Sequence, residues 1–277
     1  MFKKLLKHDF KAIYKNAFPL SVAALACSVI GGFSINILNN TSNVHPVFRA
    51  MLGMSTLLSV LVIFAAILGF QILIYVHFYK NLFTDEGYLT FTLPVKRFSI
   101  LLSKTLNAMI WTAFSGVLSV VLVLTCMICS GEIVGAIELF KSFASLFYFK
   151  SFLEGFWITV YILEVILICV AISAMQINLI QFCIAFGSTL VKKYKVLASF
   201  GIYYVVNAAT SFAFQIFVIL NVNPITEMFA FLSRNNPYML LVAIALFLLL
   251  IFIIIAAIAV LFFSLSMRRI KYHLNIA

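Results

Sequence analysis

Residues 238–266 read Tyr-Met-Leu-Leu-Val-Ala-Ile-Ala-Leu-Phe-Leu-Leu-Leu-Ile-Phe-Ile-Ile-Ile-Ala-Ala-Ile-Ala-Val-Leu-Phe-Phe-Ser-Leu-Ser, without a single charge. A helix needs about 20 mostly apolar residues to cross the hydrocarbon of a bilayer. This stretch exceeds that length, and its apolar positions run continuously, where a barrel strand would alternate. It reads as a membrane-spanning helix. Five more charge-free or nearly charge-free runs precede it, at 16–48, 50–79, 105–131, 155–191 and 196–226, with the last run covering 235–267. Six spans follow, centred near 18–38, 53–78, 105–129, 157–186, 197–220 and 238–266. The composition agrees: the 277 residues are 65% apolar and 10% charged, with a mean hydropathy of +1.17. A soluble domain is about half apolar and a quarter charged. These values exclude a cytosolic enzyme, a disordered chain and a secreted disulfide scaffold. The expectation is an all-α integral membrane protein, a single transmembrane domain over 1–277.

Nineteen Lys and Arg face eight Asp and Glu, a formal charge of +11. In a soluble chain that excess would suggest nucleic acid. Here the basic residues cluster at the ends of apolar runs, where they meet anionic headgroups and set topology. No nucleic-acid partner is expected. With both termini placed in the cytoplasm, the inner side holds Lys3, Lys4, Lys7, Lys11 and Lys15, then Lys80, Lys96, Arg97 and Lys104, then Lys192, Lys193 and Lys195, and last Arg268, Arg269 and Lys271. The outer side keeps Arg49, Lys141, Lys150 and Arg234. That asymmetry predicts cytoplasmic termini and a multi-pass protein of the cell membrane.

Residues 1–17 read as a separate amphipathic helix. Phe2, Leu5, Leu6, Phe10, Ile13 and Tyr14 share one face, and Lys4, Lys7, Lys11 and Lys15 the other. Such a helix suits the inner headgroup layer, and Pro19 would then start the first span. Ala24-Leu25-Ala26-Cys27 is similar to a lipoprotein cleavage site, but the apolar run continues well past Cys27, so an uncleaved first helix is expected. The five cysteines all lie inside apolar runs and read as small apolar fillers rather than a disulfide framework. Cys126 and Cys129 form a C-x-x-C, but a redox role would need a thiolate, disfavoured in hydrocarbon.

Catalytic signatures are absent from the sequence. There is no G-x-x-x-x-G-K-[ST], no H-E-x-x-H and no G-x-S-x-G. The four histidines are scattered, and no metal site is expected. Glu164 is the one acid deep in an apolar run, about 13 Å along the helix from Gly155 at 1.5 Å per residue. Such a residue usually faces a cavity or a partner. It is either a substrate or proton contact, or a structural group that is protonated or paired with Lys150 or Arg234. Asn178 and Gln181 lie near the Glu164 side. Ser199, Tyr203, Asn207, Ser211 and Gln215 follow four residues apart, a ladder that drifts by about 40° per step. Glu164, Asn178, Asn207, Ser211 and Gln215 are therefore candidates to line a translocation path, with bonding across helix contacts as the alternative.

The connection 79–104 is long and rich in Phe, Leu and Tyr. Asp85-Glu86-Gly87 is the only acidic cluster on a basic side, followed by Leu89, Phe91 and Leu93 as apolar anchors and by Pro94. A loop of that composition needs a cover: either it is a turn packed on its own bundle, or it docks a cytoplasmic partner.

Leu5-Leu6-Lys7-His8-Asp9-Phe10-Lys11 and Asp85-Glu86-Gly87-Tyr88-Leu89-Thr90-Phe91-Thr92-Leu93-Pro94-Val95, followed by Lys104, resemble the membrane subunit of an ABC-2-type (type V) ABC transporter of a Gram-positive bacterium. The resemblance implies that this chain is the permease subunit of an exporter and is not itself an enzyme. ATP and Mg would be used by a separate cytoplasmic ATPase, present as a dimer. A second permease copy or a sister permease would complete the path. It also implies that Asp85, Glu86, Gly87, Tyr88, Leu89, Phe91, Leu93 and Pro94 form the contact to that ATPase. The amphipathic helix would lie at the interface, and 221–237, with Pro224 and Pro237, would be a short outer re-entrant element. The Phe-rich stretch 131–155 departs from the family pattern as a sizeable outer loop. A peptide, an antibiotic or a lipid-like molecule fits as substrate. The alternative is a non-transporting membrane scaffold, or a sensor subunit for antimicrobial peptides.

Overall fold

A computed structural model describes residues 2–41, 45–84, 87, 90, 92, 95–145, 152–190, 194–235 and 237–272. Among them, seven helices carry the fold: α1 (Phe2–Asn40), α2 (Pro46–Phe83), α3 (Arg97–Cys129), α4 (Ile133–Ser145), α5 (Phe152–Leu190), α6 (Lys195–Asn235) and α7 (Pro237–Tyr272). Six of them, all but α4, are long and apolar enough to cross a membrane. Each of the six expected spans lies inside one of these helices. Leu57, Leu58, Leu61 and Phe64 of α2 are each more than 60% exposed. An apolar surface of that extent is at home in lipid and not in water.

The connection expected over 79–104 is shorter in the structure, because α2 runs on to Phe83 and α3 already starts at Arg97, and three further boundaries differ from the sequence expectation. First, α1 is one continuous helix of 39 residues with Pro19 inside it, so residues 2–17 are no separate element and Pro19 does not start a helix. At 1.5 Å per residue α1 is ~58 Å long, well beyond the ~30 Å of hydrocarbon, which leaves length for both a span and a polar extension. Proline removes only the bond to the Lys15 carbonyl, a loss that apolar helices accommodate. Second, α6 continues through Pro224 to Asn235, so 221–235 extends that helix and is not a re-entrant element; α7 starts at Pro237. Third, the 131–155 segment is not all loop, because it holds α4. Gly131 makes the turn before α4 with a φ of +84°, a left-handed conformation that glycine adopts without a Cβ penalty.

The chain forms two compact units, Met1–Phe78 with Leu102–Tyr148, and Tyr79–Leu101 with Phe149–Ala277. In the first unit, α1 presents a stripe of small residues. Ala17, Ser21, Ala24, Ser28 and Gly31 recur at three- and four-residue spacing and are buried. Without a hydrophobic driving force between helices in lipid, close approach of small residues and interhelical hydrogen bonds hold them together. Ser28 Oγ donates to the Leu122 carbonyl at 2.5 Å and lies 2.8 Å from Thr125 Oγ1 on α3. Ser55 of α2 donates to Ser34 of α1 at 2.7 Å. At Gly32 a Cβ would stand 2.5 Å from Cys129 Cβ and 2.7 Å from the Cys126 carbonyl oxygen. The C-x-x-C thus serves as the close-packed wall of α3 against α1, and all five cysteines are free.

In the second unit, α5 packs along α7, with α6 against α5. Leu179 and Cys183 of α5 and Phe262 of α7 form a buried core, flanked by Ile202, Tyr203 and Val206 of α6. Asn178 donates to the Ala259 carbonyl at 3.1 Å, and Tyr161 to the Leu241 carbonyl at 2.9 Å. The Arg269 guanidinium lies 4.3 Å over the Phe186 ring, a favourable placement for a cation.

Candidate functional site

The α2–α3 connection belongs with the second unit. Of the residues that the resemblance assigns to it, Asp85, Glu86, Tyr88, Leu89, Phe91, Leu93 and Pro94 lie outside the described residues. Gly87 is described and buried. Its N–H donates to the Thr84 carbonyl at 2.8 Å, and a Cβ there would sit 2.6 Å from the Leu82 carbonyl oxygen. Only glycine allows the connection to fold this closely onto the end of α2. Thr90 Oγ1 then donates back to the Asn81 carbonyl at 3.0 Å. At the other end Arg97 Nη1 reaches the carbonyls of Lys271 at 3.0 Å and Ile270 at 3.5 Å. A guanidinium on the last carbonyls of α7 satisfies orphan acceptors and complements the negative helix end. Phe98 packs edge-on to Phe263 of α7, ring centroids 5.6 Å apart. The described part of the connection is therefore fastened at both ends.

A second feature was not legible as a site in the sequence. In the first unit, Asp9 of α1 is 2% exposed and is ion-paired with Lys104 of α3, itself 6% exposed. His77 Nε2 of α2 stands 3.7 Å from the same Asp9 oxygen. One carboxylate thus joins three helices. Lys104, Asn107 and Trp111 share a face of α3 at i, i+3 and i+7, and all three are buried. Phe10, next to Asp9, stacks on Trp111 with centroids 4.9 Å apart. Among the described residues, Asp9 Oδ2, Asn107 Oδ1 and Trp111 Nε1 have no hydrogen-bond partner. Buried groups of this kind are where ordered water collects. The available signal was the presence of one acid in a basic N-terminal stretch and one lysine inside an apolar one; the pairing itself spans 95 residues.

Glu164 lies on α5 in the second unit and is 9% exposed. It makes no ion pair among the described residues, and Oε2 has no hydrogen-bond partner. Of its two expected partners, Lys150 and the side chain of Arg234 both lie outside what the structure describes. Glu164 lines a cavity of about 500 Å³ between α5 and α7. Asn178 is buried further along α5 and is bonded to α7, the packing role. Along the α6 ladder Ser199 is buried, Asn207 half-buried, and Ser211 and Gln215 exposed, within a stretch from 208 to 216 that is exposed on every face. The structure therefore does not gather the five path candidates in one place. No group of three or more His, Cys, Asp or Glu able to hold a metal occurs among the described residues.

No protein-family model, no curated protein and no solved structure matches the chain.

Proposed function

We propose that the chain is the permease subunit of an ATP-binding cassette exporter of the cell membrane, embedded by its six apolar helices and coupled through the α2–α3 connection to a separate cytoplasmic ATPase. The observation that carries this reading is the fastening of that connection. Gly87 folds it onto α2, and Arg97 ties it to the end of α7. A load applied to it would be delivered directly to a membrane-spanning helix. The chain carries no nucleotide-binding motif, so ATP and Mg are bound by the partner dimer, and a second permease, identical or sister, completes the path. Closure of the ATPase dimer would shift the population of inward and outward states. Glu86 and its neighbours form the docking surface in this reading.

Purification of the tagged chain in mild detergent, with mass spectrometry of co-eluting proteins, tests it. A stoichiometric cytosolic ATPase is expected, and Glu86→Arg is expected to release it while membrane insertion is kept. A chain that elutes alone, with lipid retained and nucleotide added, would overturn the reading in favour of a scaffold. An ATPase that co-elutes but is not stimulated by any exported compound would favour the sensor role.

A further inference from the structure

The short helix α4 carries two chemically distinct sides. At ~100° per residue, Ile133, Ile137, Phe140 and Ala144 fall within about 60° of one another, at i, i+4, i+7 and i+11. Glu138, Ser142 and Ser145 lie on the other side, with Val134 and Lys141 between the two. The apolar side is not packed on the protein: Ile133, Ile137 and Phe140 are 52%, 46% and 74% exposed. A helix of 13 residues is marginal in water by itself, and an apolar stripe needs a cover.

The place where α4 starts says what that cover is. Val120, Val123 and Ile128 of α3 are each more than half exposed, so lipid meets α3 up to its last turn. The chain turns directly after it. The Gly131 N–H donates to the Ile128 carbonyl at 3.2 Å, and a Cβ on Gly131 would stand 2.5 Å from Asn36 Nδ2 of α1. A straight continuation of α3 would carry residue 135 about 12 Å beyond Met127, at 1.5 Å per residue. Instead, a Cβ on Gly135 would lie 3.5 Å from Met127 Cε. The first turn of α4 therefore leans back on the last turn of α3, at the level where hydrocarbon gives way to headgroups. Glu132, Glu138 and Lys141 are two acids against one base, so attraction to anionic lipid is not what would hold this segment.

We propose that α4 is an interfacial helix. It lies in the headgroup layer of the leaflet in which α3 ends, with Ile133, Ile137 and Phe140 toward the acyl chains and Glu138 and Ser142 toward water. Burial of apolar surface holds it there, and charge does not. This placement needs neither the permease reading nor a choice of membrane orientation.

The test uses the full chain in phosphatidylcholine nanodiscs, loaded at one copy per disc. A membrane-impermeant maleimide reads exposure to water, with wild type as the blank for the native cysteines. Ser142→Cys should react about tenfold faster than Phe140→Cys or Ile137→Cys, and all three should react alike once denatured. Phe140→Trp reads lipid contact: its emission above wild type should fall about twofold when the phosphatidylcholine is brominated near the headgroup. Both readings should persist when half of the lipid is phosphatidylglycerol. Equal rates at 140 and 142 would put the apolar side in water and overturn the proposal. Protection at 140 without quenching would mean that the chain itself covers this side, and would overturn it as well. Protection that appears only with phosphatidylglycerol would replace apolar burial by charge, against the proposal.

Discussion

Asp9 shows how much a single side chain can matter here. Its carboxylate is sealed against Lys104 and His77 in the first unit, and a buried pair is weak evidence of net stability but costly to break. Removing one partner strands a charge, at about 3–5 kcal/mol, whereas replacing both with apolar groups is often neutral. Lys104→Met should therefore lower the melting temperature in detergent far more than the double change Asp9→Leu with Lys104→Met. A double variant as unstable as the single one would show that the cost comes from elsewhere. Gly32 is the second sensitive position. A side chain there meets Cys129 and the Cys126 carbonyl before it can find room, so Gly32→Val should destabilise α1 against α3 by about 1–3 kcal/mol. Gly53→Ala, where a Cβ meets nothing within 4 Å and alanine is the better helix former, should hold or raise the melting temperature. Neither site stood out in the sequence as a contact, since glycine and aspartate carry no local signal of what stands across from them. The isolation of Glu164 in an apolar run did, because the cost of a charge in hydrocarbon is local.

At the level of elements, hydropathy is a reliable guide to where a helix spans and a poor one to where it stops. The six apolar runs all lie within helices. Pro19 and Pro224 read as boundaries because proline breaks helices in water; in α1 and α6 the chain continues through both. After Pro19 the chain is apolar enough that the alternative, an exposed unpaired backbone in lipid, is worse. The helix α4 was hidden for a different reason: its 13 residues are too few to register as a span. The α2–α3 connection was visible by its unusual composition, but its tie to α7 was not. Arg97→Ala should loosen that tie. Hydrogen–deuterium exchange over the last turn of α7, residues 268–272, should rise several-fold while the middle of α7 is unchanged. Unaltered exchange there would mean that the Arg97 bonds do not hold the turn.

For the molecule as a whole, fifteen of nineteen basic residues fall on one side of the six-span layout, which predicts topology without reference to packing. Green fluorescent protein fused after Ala277 should fluoresce, and alkaline phosphatase at the same place should stay inactive. The two reporters should exchange behaviour when inserted after Ser145. The opposite pattern would invert the membrane orientation and remove the docking role of the α2–α3 connection. The division into units, by contrast, was not legible, because it does not follow the order of the chain. Residues 79–101 are flanked on both sides by the first unit and yet belong with the second. That arrangement has a consequence for timing. Arg97 and the Lys271 carbonyl are separated by 174 residues, which a ribosome adding about 5–20 residues per second takes roughly 9–35 s to make. Until then the connection has no α7 to close upon. The closed form of the connection therefore exists only in a chain that has been translated through α7.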